Sequence, residues 1–147
     1  MKKYWVIFLV LCMVGTLTVG CSAKETSQSE GIAVDIDLTA LSNTMAYAEI
    51  TNISTDPERY IGKTVKIQGE YRVSYYGAPG VPYHFAILWD ETSCCEQGLE
   101  FTWDGNHEFP DDFPKEKTKI EVCGVLETYF DQGDTFFRLN VNDITVL

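Results

Sequence analysis

Positive charge is scarce in this sequence: 11 Lys and Arg stand against 22 Asp and Glu, for a net charge of -11. A chain so acidic repels phosphate backbones, whose binding depends on Lys and Arg, so nucleic acid is not the expected partner. Histidine is almost missing, with 2 in 147 residues, and imidazole chemistry falls to His84 and His107 alone. There is no glycine-rich phosphate loop, no G-x-S-x-G elbow and no C-x-x-C pair. Nucleotide cradles, serine-elbow hydrolases and thioredoxin-like redox chemistry therefore lack their usual basis. No internal repeat is visible, and the apolar run from Tyr4 to Gly20 falls short of the about 20 residues of a full crossing.

What is present begins with Met1-Lys2-Lys3, that apolar run, and Cys21 followed by "SAKETSQSEG". A basic start, an apolar stretch and small residues at the end read as an export signal over 1–20. "TVGC", ending at Cys21, resembles the lipobox of bacterial lipoproteins, although Thr18 stands where Leu is usual. The resemblance implies a lipid-acylated Cys21 that holds the chain to the outer side of a bacterial cell membrane, with the domain extracytoplasmic. Residues 21–36 carry almost nothing apolar and read as a flexible tether. Without residues 1–20, and hence without Lys2 and Lys3, the charge moves from -11 to -13.

The remaining stretch, 37–147, fits one small domain. Leu38 to Ile53 has near-helical apolar spacing through Leu41, Met45, Ala46, Ala48, Ile50 and Ile53, with Ser42 or Asn43 as cap and Thr51 and Asn52 weakening its end. Asp56-Pro57 starts a second turn that Gly62 stops. From Thr64 the period becomes two. "TVKIQGEYRVSYY", "YHFAILWDE", "LEFTW", "TKIEVCGVLETYF" and "TFFRLNVNDITVL" are five strands, with "GAPGVP" and "DQGD" as loop and turn. Gly69 and Gly124 sit mid-strand, where a strongly bent strand needs them. The fold class expected is mainly β: a five-stranded OB-like barrel with a short N-terminal helical segment covering one end, since closure removes exposed edges. Pro110 and Pro114 forbid a long helix between the third and fourth strands.

"DPERYIGKTVKIQGEY", "SCCEQGLEF", "FPDDFP" and "TKIEVCGVLETY", in this order, resemble a group of small OB-like secreted proteins and lipoproteins of clostridia-type bacteria with a Cys-Cys-x-x-Gly-Leu-Glu-Phe motif and no assigned activity. The resemblance runs over about residues 44 to 147 and implies an OB-like fold. The paired cysteines after a strand are also similar to the extracytoplasmic OB-like domain of a permease family associated with zinc supply. That likeness is one dipeptide in context.

Cys94, Cys95 and Cys123 are the cysteines of the domain. A disulfide from Cys94 or Cys95 to Cys123, a ring between the adjacent pair, free packed thiols and a zinc site all remain open. A zinc site would use Cys94, Cys95, Cys123 and His107, with His84 and Glu96 as other completions. Adjacent cysteines on an extended strand point to opposite faces, so both reach one ion only from a turn. Asp90, Glu91, Glu96 and Glu100 could supply a carboxylate pair to a hydrolase. "DGNHEFPDD" offers oxygens but no calcium-loop spacing. The aromatic residues exceed what one small barrel holds. Tyr83, Trp103, Tyr75 and Tyr76 are therefore the candidate ligand face, with packing under the N-terminal helix as the alternative. The reading that emerges is a non-catalytic binding or accessory module without cofactor. Its expected partners are the membrane, through its anchor, and an envelope protein or transporter. Zinc handling through Cys94 and Cys95 is the first alternative, and a hydrolase the second.

Overall fold

The change of period at Thr64 is where sheet begins in earnest. In the computed structural model residues 33–147 are described. They form β1 (Ile36–Asp37), helix α1 (Asn43–Thr55), β2 (Thr64–Ser74), β3 (Tyr83–Trp89), β4 (Glu96–Trp103), β5 (Lys119–Asp131) and β6 (Asp134–Val146). The export signal over 1–20, the acylated Cys21 and most of the tether lie outside the described residues. Among the described residues no helix is long and apolar enough to cross a membrane.

The expected tether ends earlier than residue 36. The Asp35 N–H donates to the Thr64 carbonyl and its carboxylate accepts from the Thr64 N–H. Ile36–Asp37 then pairs parallel to β2, a sixth strand beyond the five expected. Two residues suffice because the edge of β2 offers free backbone groups that must find partners.

α1 begins where Ser42 caps it, its hydroxyl accepting from the Met45 N–H. Ala46, Ile50 and Ile53 fall on one stripe and are buried. Leu41 and Met45, expected on that stripe, are exposed. Thr51 and Asn52 do not end the helix; the hydroxyls of Thr51 and Thr55 bond back to carbonyls four residues earlier. A single 3-10 turn, Pro57–Arg59, follows, and Gly62 at φ +83° closes it.

The sheet runs β1-β2-β3-β4-β6-β5, and β2 also pairs with β5. Apart from β1–β2 and the short β4–β6 ladder, all neighbours are antiparallel. β2 exchanges partners at Glu70: residues before it pair with β5 and residues after it with β3. Gly69 makes the exchange possible, since a Cβ there would stand 2.8 Å from the backbone N and O of Ile87. Gly124 sits at the register shift between β5 and β6, where a Cβ would approach the Asn140 carbonyl to 2.4 Å. Both mid-strand glycines thus fall where another backbone comes too close for a Cβ. Val65, Ile67, Tyr71, Ala86, Leu99, Phe101, Leu126, Leu139 and Val141 fill one core together with Ile50 and Ile53 of α1.

Candidate functional site

Alternation along β4 sends Leu99 and Phe101 into the core and leaves Glu100 on the other side, opposite Phe85 of β3. On β3 Ala86 points inward, so Tyr83 and Phe85 share the outer side with Glu100. The β2–β3 loop folds back over this face. Tyr76 lays its ring on Tyr83 at 4.4 Å between centroids, and Phe85 and Phe136 flank it. A Cβ at Gly77 would strike the Tyr83 hydroxyl and force it to shift. The Tyr83 hydroxyl donates to Asp131 at 2.6 Å and accepts from the Ala78 N–H, which ties the loop to the β5–β6 turn.

At the centre lies Glu100, only 8% exposed. Its Oε2 accepts from the Tyr76 hydroxyl at 2.6 Å and from the Tyr129 hydroxyl at 2.8 Å. Burial holds its carboxyl above the usual range, against the two hydroxyl bonds, which favour the charged form. Burial also pushes the Tyr129 hydroxyl up to about 12. Arg138 lies over the Tyr129 ring at 4.6 Å and bonds Glu127 through Nε. Because burial opposes a charge on Glu100, Glu100→Gln, which keeps an acceptor for both hydroxyls, is expected to raise the urea midpoint at pH 7. A lowered midpoint would show that the negative charge itself holds the cluster.

Beside the cluster a cavity of about 330 Å³ is lined by Tyr83, Glu100, Thr102, Trp103, His107 and Arg138, together with Phe109 and Phe113. Of the expected ligand face, Tyr83 and Trp103 meet on this cavity and Tyr76 covers Tyr83. Tyr75 stands exposed and does not line it. Trp103 is stacked on His107 at 3.6 Å and donates from Nε1 to the Asn142 carbonyl. Sequence reasoning missed Tyr129, Arg138 and the central place of Glu100. Alternation within "LEFTW" was the available signal for Glu100, since it opposes Leu99 and Phe101.

The second constellation is the β3–β4 turn. The Asp90 N–H donates to the Cys95 carbonyl and the Ser93 N–H to the Asp90 carbonyl, both at 3.0 Å. Ser93 is left-handed at φ 56°, which swings the next two residues off an extended path. Both thiols thereby face the Asp90 carboxylate. Its Oδ1 accepts from the Cys94 and Cys95 N–H groups, and its Oδ2 from the Thr92 hydroxyl and the Cys94 thiol. The Thr92 hydroxyl bond, foremost, holds Asp90 below the usual carboxylate range. The two sulfurs are 3.4 Å apart, and hydrogen bonding to Cys94 pushes the Cys95 thiol up.

Cys123 and His107, expected to complete a metal site, are not brought to this turn. Cys123 pairs with Lys66 on β2 and is half-buried and free. No disulfide joins Cys94 or Cys95 to Cys123, one of the pairings the sequence left open, and burial pushes the Cys123 thiol up. His107 follows β4 while the cysteines precede it, and the 8 residues of that strand extend about 25 Å. His84, the other histidine, is buried, with Nδ1 at 2.7 Å from the Tyr71 hydroxyl.

The carboxylates expected for a hydrolase do not converge either. Asp90 faces the thiols, Glu91 accepts from Thr44 of α1, Glu96 is exposed and Glu100 serves the tyrosines. No family model, curated protein or solved structure matches the chain.

Proposed function

We propose that the chain is a binding or accessory module held by a lipid on Cys21 at the outer side of a bacterial cell membrane. Its ligand lies across the outer face of β3 and β4. The domain is read as an OB-like barrel. What supports that is the ladder order β2-β3-β4-β6-β5, with the last strand paired again to β2 and with β4 and β6 parallel. Such barrels bind on the face of their second and third strands, beneath the loops that border it. The resemblance of the ordered motifs to small OB-like lipoproteins agrees with this reading, and α1, whose Ala46, Ile50 and Ile53 are buried, is read as replacing the helix usual between the third and fourth strands.

One observation carries the functional part: a nearly buried carboxylate, Glu100, gathered with Tyr76, Tyr83 and Tyr129 on an outer sheet face, beside a cavity bearing Trp103 and Arg138. Rigid aromatic rings with a few placed polar groups are the composition of recognition surfaces.

A photo-crosslinking residue at Thr102 of the full chain tests this in intact cells, with the same residue at exposed Glu58 as control. Thr102 is expected to give a discrete adduct by mass spectrometry that Glu58 does not give and that Tyr76→Ala abolishes. Equal adducts from the two positions, or none from Thr102, would overturn the assignment of the face. Anchorage is read separately: Cys21→Ala is expected to release the chain from membranes, and retention there would end the lipoprotein reading.

A further inference from the structure

The turn between β3 and β4 serves no part of the aromatic face, yet it gathers three groups of the kind that hold metal. One oxygen of Asp90 and the sulfurs of Cys94 and Cys95 all lie within 4.8 Å of one another. The Cys94 and Cys95 sulfurs are 3.4 Å apart, and the Cys94 sulfur is 3.3 Å from Asp90 Oδ2. With zinc–sulfur bonds of about 2.3 Å and zinc–oxygen bonds of about 2.0 to 2.2 Å, the corners of a tetrahedron stand about 3.8 Å apart for two sulfurs and about 3.5 Å for sulfur and oxygen. An ion would enter by parting the Cys94–Cys95 and Cys94–Asp90 atoms a few tenths of an ångström, with the Cys95 sulfur and the Asp90 oxygen within 4.8 Å of each other. The backbone already holds the turn, through the Asp90–Cys95 and Ser93–Asp90 bonds.

We propose that Asp90, Cys94 and Cys95 form a three-ligand site for a divalent ion of the zinc class, its fourth position left to water or to an incoming ligand. Two thiolates select borderline-soft ions over magnesium or calcium, which take oxygen. One carboxylate beside them sets the site apart from closed structural centres of four cysteine or histidine ligands. Thr92 is the outer partner, its hydroxyl 3.0 Å from the Cys94 sulfur and 2.8 Å from Asp90 Oδ2, positioned to orient both. Asp90 and Ser93 also line a cavity of about 620 Å³ between the turn, α1 and β2. The site thus opens beside a space that a ligand to the fourth position can occupy. Neither Cys123 nor His107 takes part. The inference is independent of the aromatic face, because the two regions lie at opposite ends of β4.

Cobalt titration of the full-length, reduced chain in detergent tests it. A single equivalent of Co²⁺ is expected to raise a sulfur-to-cobalt charge-transfer band together with strong visible bands of tetrahedral cobalt, and Zn²⁺ is expected to displace it. Cys94→Ser and Cys95→Ser should each remove at least half of the charge-transfer intensity. Asp90→Asn should keep the band but weaken Co²⁺ binding about tenfold or more, the scale on which even outer partners act. Cys123→Ser, Cys12→Ser and His107→Ala should change nothing. Circular dichroism identifies any variant that has failed to fold, and the unaltered chain alone still decides the matter. No charge-transfer band while thiol titration finds Cys94 and Cys95 free would overturn the site. So would a band that depends on Cys123, or an affinity that Asp90→Asn leaves unchanged.

Discussion

Replacing Phe101 by alanine is expected to lower the unfolding free energy by about 3 to 5 kcal/mol, read from urea denaturation at pH 7. Phe101 is 1% exposed and lies on β4 between His84 of β3 and Leu139 of β6. Its ring is 6.1 Å from that of Tyr71 and 6.0 Å from that of His84. Truncation removes an aromatic ring from the point where three strands and the β4–β5 loop meet, and ladders on both sides of β4 resist collapse into the space. Since domains of this size are stable by only about 5 to 15 kcal/mol, the variant should be partly unfolded at 37 °C. A loss below about 1 kcal/mol would mean that Phe101 does not close the core.

Acid should weaken the fold through His84. Burial lowers its pKa from the ordinary 6.5 to about 4. Tyr71, with its hydroxyl on Nδ1, is the titratable group facing it, while Phe101, Phe109 and Phe113 cover the ring. Above pH 6.5 both folded and unfolded chains carry a neutral imidazole, and stability is full. As pH falls from there to about 4, the unfolded chain takes up a proton that the folded chain refuses, and about 3 kcal/mol is lost. Glu100 acts with the opposite sign, because its raised folded pKa favours the folded state as pH falls. Asp90 and Glu121, held low, act with His84. The His84 contribution is therefore the difference from His84→Gln, which retains a partner for Tyr71. Between pH 7 and pH 4 the variant should lose about 3 kcal/mol less than the unaltered chain. Parallel curves would remove His84 from the account.

Much of the fold could be read from order and period. Alternation from Thr64, prolines at 110 and 114 and turn signals at 77–82 and 131–134 mark strands and loops correctly. Gly69 and Gly124 stand out mid-strand because only a residue without Cβ fits against another backbone there. The exposure of Leu41 and Met45 was not legible, because spacing near a helical period admits several stripes and only neighbouring strands choose among them. β1 was also hidden: Ile36–Asp37 has no strand pattern and is extended only because β2 has an edge to pair.

The two sites divide in the same way. That Cys94 and Cys95 need a turn to act together follows from alternation alone, but Ser93 taking a left-handed conformation is a property of the closed hairpin. Tyr76 and Tyr129 are 53 residues apart and meet at Glu100 because β6 returns beside β4 and β5 pairs with β6.

By itself the sequence determined the acidic character, the order of the elements and the faces of each strand, because charge and period are written in neighbouring residues. Which strands lie side by side, which tyrosines reach Glu100 and which carboxylate faces the two thiols were decided only by the tertiary structure. Ladder register joins residues far apart in the chain, and no local pattern records which partner lies across the gap.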